Sequence, residues 1–410
     1  MLNLMKIYIE TYGCSANYNN GEIIAGLLKK AGHKLVSEKQ AQLIILNTCI
    51  VKAQTENKII HRMKQIKKSL VVTGCMPNVE AELIKQIQPS ASLVGVNHIK
   101  DIVKAVGRHQ ELISKQKEIK LCLPKIRKNK IINIVQILEG CKGNCAYCIV
   151  KLVKGDLHVY PEKEILKEIK QSIKQGCKEI WLTSQDSAAY PDLPRLLDKI
   201  TKINGDFIVR LGMSNPNNVL PMLSELIHSF SSEKIFKFLH IPVQSGNNTI
   251  LKSMNRYYKI NDFKKIVKGF RKEFPEITIA TDIICGFPGE TEKQFDDTLK
   301  LIKDIKMGVI NISRFGARPG TKAKEMKQLP GEIINERSKK LTKLFLESAK
   351  KENQRWIGWA GNILIDEKGK NDAWIGRNFA YKPVIVKGNY HLGQKINVTI
   401  KSATAHDLRS

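Results

Sequence analysis

Six of the nine cysteines fall into two groups of three, and thiolates gathered in threes point to metal chemistry. The run Glu139-Gly-Cys-Lys-Gly-Asn-Cys-Ala-Tyr-Cys-Ile149 sets Cys141, Cys145 and Cys148 at CxxxCxxC spacing. Three thiolates leave one iron of a 4Fe-4S cube without a protein ligand and open to a substrate, whereas a structural zinc site recruits four ligands and closes itself. The alternative for this spacing is a zinc loop whose fourth ligand lies elsewhere in the chain. The second trio stands in Thr-Tyr-Gly-Cys14, Asn-Thr-Cys49 and Thr-Gly-Cys75, each cysteine closing a short apolar run. Three thiolates brought together there would hold a second cluster with an open iron; otherwise they are small buried cysteines of the kind common in protein cores.

The elements that must position these residues can be read from apolar periodicity. Lys6–Glu10, Leu43–Leu46 and Leu70–Thr73 have the character of strands, separated by helical patterns near Gly21–Ala31, Thr55–Lys67 and Val79–Gln86. This βαβ order predicts an α/β domain with a parallel sheet, and all strands of such a sheet end on one edge, where Cys14, Cys49 and Cys75 would meet. Residues 98–130 read as a helix followed by a basic stretch, Lys117 to Lys130, whose charge density and Pro124 predict an unpacked linker. Cys122 within it has no partner motif. From Ile131 six further strands alternate with helices: Ile131–Leu138, Glu179–Thr183, Phe207–Leu211, Phe236–Val243, Ile277–Cys285 and Val309–Phe315. Six β/α units are too few for a complete eight-stranded barrel, and polar and glycine residues gather after the strands, where barrel chemistry is performed. A helical run from Gly331 to Gln354 leads to short strands with glycine turns, the pattern of a small OB-like β-barrel. The expected division is 1–115, a linker at 116–130, 131–355 and 356–410.

With 410 residues, 42% of them hydrophobic, the chain exceeds what a single core usually serves. Lys and Arg number 68 against 39 acids, a net charge of +29 that suits a polyanionic partner such as nucleic acid. The excess is spread along the chain: nine in residues 1–120, sixteen in 121–355 and four in 356–410. A bias of codon composition towards Lys, Ile and Asn would give the same pattern. In the last segment Trp374, Arg377, Phe379 and Tyr381 offer stacking and phosphate contacts to RNA. Cysteines in metal-binding trios fit a reducing, cytoplasmic setting. No apolar stretch is long enough to span a membrane, and the N-terminus lacks a signal pattern.

The CxxxCxxC spacing, with Tyr147 just before its last cysteine, resembles the radical S-adenosylmethionine (SAM) superfamily. A three-cysteine α/β domain, a partial six-strand barrel and a terminal small β-barrel, the TRAM domain, resemble in that order the radical SAM methylthiotransferases over essentially the whole chain. Thr-Tyr-Gly-Cys14-Ser-Ala-Asn17, Asn47-Thr-Cys-Ile-Val-Lys-Ala53, Glu179-Ile-Trp-Leu-Thr-Ser184 and Gly376-Arg-Asn378 look most like the archaeal and eukaryotic branch, which acts on N6-threonylcarbamoyladenosine beside the tRNA anticodon. The resemblance implies two 4Fe-4S clusters and SAM. Cys141, Cys145 and Cys148 would hold the SAM-cleaving cluster, and Cys14, Cys49 and Cys75 an auxiliary one carrying the sulfur to be delivered. SAM's amine and carboxylate would chelate the open iron of the first cluster. One SAM would methylate the sulfur and a second would yield the 5'-deoxyadenosyl radical that abstracts hydrogen from C2 of the adenine. Implied partners are the tRNA anticodon arm, a low-potential electron donor and a sulfur donor.

Around SAM, Gln185 and Asp186 are placed to accept hydrogen bonds from its amine or ribose, and Gly286 with Gly289 to let backbone approach its adenine. Gln244, Ser245 and Arg256 are further candidates to line the site. His240 reads as a core or wall residue, and Cys177 and Cys285 as packing. Some residues depart from the branch pattern. Gln185-Asp186 is similar to the ribosomal-protein branch, Cys148-Ile-Val150 to the isopentenyladenosine branch, and Lys154-Gly155 stands where Arg-Gly is usual. Methylthiolation of isopentenyladenosine or of a ribosomal protein is therefore the alternative reading, and a non-catalytic iron-sulfur RNA-binding protein is the alternative of another class.

Overall fold

A computed structural model describes residues 4–410. The first sheet has strands β1 (Lys6–Thr11), β2 (Lys34–Leu35), β3 (Leu43–Thr48), β4 (Ser69–Gly74), β5 (Ser92–Gly95) and β6 (Glu111–Leu112) in the order 2-1-3-4-5-6, all parallel. Its inner strands are buried on both faces. Ile45 and Val71 pack towards one layer of helices, Ile44, Leu46 and Val72 towards the other, as a parallel sheet sandwiched by crossovers requires. The helices after β1, β3 and β4 are α1 (Ser15–Lys30), α2 (Ala53–Gln65) and α3 (Pro77–Ile87), so each begins just beyond one of the three cysteines.

The six expected barrel strands form two parallel three-stranded sheets. β7 (Ile132–Gln136) pairs with β10 (Glu179–Thr183), and β10 with β11 (Ile208–Leu211). In the second sheet β12 (Phe238–His240), β13 (Thr278–Cys285) and β14 (Val309–Arg314) lie in that order. β11 lies against β12, joining the sheets into a partial barrel whose free edges are β7 and β14. A two-stranded ribbon, β8 (Leu138–Glu139) with β9 (His158–Val159), flanks the cysteine loop, and the short helix α4 (Val150–Lys154) follows that loop. Alternation decides the faces. Val135, Ile180, Leu182, Val209, Leu239, Ile279, Ile283 and Ile310 join one core with the surrounding helices, leaving the intervening residues to face the barrel interior.

The C-terminal strands β15 (Ala360–Lys368), β16 (Ala373–Arg377), β17 (Pro383–Lys387), β18 (Lys395–Thr399), β19 (Ser402–Ala403) and β20 (Leu408–Arg409) make one curled mixed sheet, a half-barrel in the order 18-15-16-17-20-19. Its own core holds Trp356, Ile363, Ile365, Val384, Val386 and Val398.

Two expectations are corrected. The segment Lys117–Lys130 is packed, not free: Lys120 is completely buried and Leu121 joins the barrel core, while Cys122 donates its backbone N–H to Glu168 Oε2 at 2.6 Å. Charge density misleads there because Glu139, nineteen residues away, supplies the counter-charge. Arg377 and Tyr381 are not poised for RNA. Arg377 pairs with Asp366 at 2.9 Å and lies over the Tyr381 ring, which packs against Phe236 and Phe238.

Candidate functional site

The N-terminal trio converges as strand ends should. Gly13, at φ +105, turns the chain so tightly that a Cβ there would lie 2.7 Å from Cys49 Cβ and 3.0 Å from Cys49 Sγ. Asn17, fully buried, ties the three strand ends together. Its Nδ2 donates to Tyr12 O at 2.9 Å and Thr48 O at 2.7 Å, and its Oδ1 lies 3.8 Å from Cys75 Sγ. Burial pushes the Cys75 thiol up to about 12 and raises that of Cys49.

The second trio wraps a glycine. Gly143 N–H donates to Cys141 Sγ at 3.2 Å, and a Cβ at Gly143 would stand 3.3 Å from Cys141 Sγ and 3.8 Å from Cys145 Sγ. Arg256 Nη1 donates to Cys145 Sγ at 3.4 Å, while the rest of its guanidinium meets Tyr258 Oη, Asn215 Oδ1 and Pro242 O. Burial pushes Cys148 up to about 12 and Cys141 upward as well. Ala146 N–H donates to Met254 O and Ala146 O accepts from Ala323 N–H, so the loops after β12 and β14 clamp the cysteine loop. Tyr147 packs edge-on against Phe287 in a small apolar cluster beneath it.

The other expected SAM-site residues gather at the same carboxyl ends. Gln185 Oε1 accepts from Gly140 N–H at 2.9 Å, holding the start of the cysteine loop. Asp186 is almost completely buried and accepts from Asn215 N–H at 2.9 Å and Asn218 Nδ2 at 2.6 Å; burial raises its carboxyl. Gln244, in a left-handed backbone, donates its N–H to Asp282 O, while the neighbouring Ser245 is fully buried. At Gly286 a Cβ would meet Ile334 at 2.5 Å, and at Gly289 nothing within 4 Å, leaving open space beside that backbone.

A short stretch of chain joins the two trios. Ile149 and Val153, flanking and within α4, are buried in the N-terminal core beside Cys75 and Met76. Lys154 closes α4, and its charge is felt by Cys75, Cys49 and Cys14. Its Nζ donates to Glu139 Oε1 at 2.7 Å, and Lys120 Nζ donates to Glu139 Oε2 at 2.7 Å. Two enclosed ammoniums share one carboxylate. Burial opposes charge on all three, yet both ammoniums hold Glu139 below the usual carboxylate range, and Glu139 with Cys75 holds Lys154 above its own; burial wins at Lys120. This network, with its surplus cation beside the N-terminal thiols, was invisible in the sequence; the Lys154-Gly155 departure was its only trace.

The N-terminal sheet also bridges the open side of the barrel. On the β7 edge Gln136 Nε2 donates to Asn20 Oδ1 at 2.9 Å, and Ser15 Oγ lies 2.7 Å from Thr183 Oγ1. On the β14 edge Arg318 Nη1 pairs with Glu56 of α2 at 2.6 Å. The strand ends bearing Cys14, Cys49 and Cys75 are thereby carried to the barrel mouth. Among the described residues no helix is long and apolar enough to cross a membrane.

Comparison with known proteins agrees with this architecture. Residues 135–302 match the radical SAM superfamily, residues 6–95 an uncharacterized protein family designated UPF0004, and residues 360–410 the TRAM domain. A radical SAM methyltransferase structure from Kitasatospora setae, TsrM with cobalamin and a [4Fe-4S] cluster, shares the fold. Its TM-score is 0.59 at 12% identity, over 79% of this chain and 77% of that one. A probable threonylcarbamoyladenosine tRNA methylthiotransferase of Pyrococcus horikoshii is 41% identical, over 93% of this chain and 94% of its own length. The human threonylcarbamoyladenosine tRNA methylthiotransferase is 35% identical, over 99% of this chain and 74% of its own length. Identity at this level across all three segments places the chain in the radical SAM threonylcarbamoyladenosine tRNA methylthiotransferase family.

Proposed function

We propose that this enzyme converts N6-threonylcarbamoyladenosine beside the tRNA anticodon to its 2-methylthio derivative, using one 4Fe-4S cluster on each cysteine trio. The observation that carries the reading is the bridging of the barrel mouth by the strand ends that bear Cys14, Cys49 and Cys75. Each donor set suits a cluster. Three thiols, a backbone N–H and the Arg256 guanidinium surround one site, and the surplus ammonium of Lys154 faces the other, as an anionic iron-sulfur group demands. Among the described residues neither trio closes tightly enough around one point to hold a single metal ion. A cube, which gives each thiolate its own iron, calls for that wider spacing.

When bound, the barrel cluster with SAM would supply the deoxyadenosyl radical, and the second cluster the sulfur to be inserted. The chain's own residues then have four tasks. Gln185 fixes Gly140 and so the start of the cysteine loop, and Arg256 offsets thiolate charge at Cys145. Gly289 leaves backbone accessible to the adenine of SAM. The N-terminal sheet excludes water from the mouth, which a primary-carbon radical requires. The target adenosine must leave its stack to enter, in the manner of other base-modifying enzymes. The reaction also needs a low-potential electron donor and a source of sulfur, and it belongs where tRNA is worked on, in the cytoplasm.

The test is anaerobic: reconstituted protein, SAM, reductant and tRNA bearing threonylcarbamoyladenosine, followed by mass spectrometry of the digested nucleosides. A 2-methylthio nucleoside is expected. Accumulation of 5'-deoxyadenosine without it would refute the substrate while keeping the radical chemistry. Cys145→Ala should abolish 5'-deoxyadenosine formation, whereas Cys49→Ala should retain it and lose sulfur insertion. Methylthiolation by Cys49→Ala would overturn the auxiliary assignment.

A further inference from the structure

The inner face of the barrel carries a polar group below the cysteine loop for which the reading above has no task. His240, Asp282 and Asn311 lie on β12, β13 and β14, with Asp282 paired in register to Asn311. Their chain neighbours Leu239, Ile283 and Ile310 point outward into the strand–helix core, so these three side chains share the interior face. His240 Nε2 meets Asp282 Oδ1 at 3.1 Å, and Asn311 Nδ2 donates to the same oxygen at 2.7 Å. Asp282 Oδ2 accepts no hydrogen bond among the described residues, and the side chain keeps 23% of its exposure, an available acceptor in a cavity wall. Burial pushes the Asp282 carboxyl up, but the bond from His240, with the contributions of Asn311 and the Lys52 charge, holds it below its ordinary range. Lys52 is exposed and stands three residues beyond Cys49, on the N-terminal side of the mouth.

We propose that Asp282, oriented by His240 and Asn311 and flanked by Lys52, forms the subsite that receives the N6 substituent of the target adenosine. Asp282 Oδ2 accepts an N–H of the urea linkage, and the Lys52 ammonium meets the carboxylate of its amino-acid arm. This rests on the threonylcarbamoyladenosine reading above. The complementarity is specific: an acceptor beside a cation matches a group with an N–H donor beside an anion. An apolar isopentenyl arm offers neither, and entering the subsite it would leave the carboxylate desolvated without a donor. Asp282 and Lys52 are thus specificity determinants, while His240 and Asn311 are positioning residues that fix which carboxylate oxygen is free.

Equilibrium binding decides it, using reconstituted full-length protein and three anticodon stem-loops that carry threonylcarbamoyladenosine, isopentenyladenosine or unmodified adenosine. The wild type should prefer the first. Asp282→Asn and Lys52→Met should each lower that preference about tenfold or more by weakening the threonylcarbamoyl loop alone, as expected for loss of a charge-assisted hydrogen bond. Lys52 lies at the surface, so its variant tests the idea even if the Asp282 variant folds poorly. Equal weakening of all three loops, or an undiminished preference in Lys52→Met, would overturn the subsite. A wild type that prefers the isopentenyladenosine loop would instead refute the substrate assignment itself.

Discussion

Glu139 lies two residues before Cys141 and is completely enclosed, with two ammoniums and a phenol on its two oxygens. Lys120 and Lys154 each donate at 2.7 Å and Tyr160 Oη at 2.9 Å. Glu139→Gln keeps the volume and removes the charge. It strands Lys120 and Lys154, whose side chains retain 0% and 4% of their exposure, with no anion within reach. Removing one partner from a buried pair costs about 3–5 kcal/mol, and here two cations lose their partner, so about 3 kcal/mol is the least expected. That is a large part of a total stability of roughly 5–15 kcal/mol. Lys120→Met provides the contrast. It fills similar space and leaves Glu139 with Lys154 and Tyr160, a balanced pair, so its cost should stay within about 1 kcal/mol. Urea unfolding followed by circular dichroism, with iron content after reconstitution as a second readout, separates the two variants. Glu139→Gln should shift the midpoint far down and load less iron. A Lys120→Met variant as unstable as Glu139→Gln would refute charge balance as the organising principle of this network.

Further perturbations test how the barrel is closed off. Burial and the charge of Asp366 push the Glu179 carboxyl up to about 7 where the C-terminal sheet meets the barrel. A carboxyl raised in the folded state holds its proton there more tightly than in the unfolded chain, so stability should fall as pH rises from about 4.3 through 7. Glu179→Gln should flatten the melting temperature across that window, and an unchanged slope would place the dependence elsewhere. Gly246 sits where a Cβ would come 2.4 Å from Thr298 Cα and 2.6 Å from Asp297 O, both on a barrel helix backbone that cannot yield cheaply. Gly246→Ala should therefore cost about 3 kcal/mol by calorimetry, and a cost near zero would mean that the helix slides freely on the sheet.

Local periodicity made most of the fold legible. Strands buried on both faces read as continuous Ile, Leu and Val runs, and the N-terminal cysteines were readable because a parallel sheet brings every strand end to one edge. β5 escaped notice because Ser92–Gly95 is short and flanked by no strong turn signal. The misplaced residues share one cause: they are polar side chains whose partners are distant in sequence. Lys120 in a run of lysines looks solvated, and only Glu139 makes its burial tolerable. Arg377 and Tyr381 looked like an RNA platform because aromatic and basic residues alternate there. Alternation also serves a buried stack, and nothing local distinguishes the two uses.

That buried stack bears on which part of the C-terminal sheet can meet RNA. Arg210 of β11 lies between Trp181, Phe238 and Tyr381, at 4.9–5.1 Å from each ring, so Tyr381 fills the barrel interior at the amino ends of the strands. The stack closes one end of the interior while the N-terminal sheet bridges the other. Each closure uses a separate part of the chain, and Glu179, with its protonation near neutrality, lies in the first. A docked C-terminal sheet therefore commits Arg377 and Tyr381 to the barrel. Its RNA contacts must come from residues left outside the stack, such as Phe379, still 37% exposed beside Trp356 and Trp359, and Trp374, whose ring carries Lys368. The same sheet thus seals the chamber with one surface and leaves another free for the nucleic acid, so losing the seal and losing the RNA contact are separable defects.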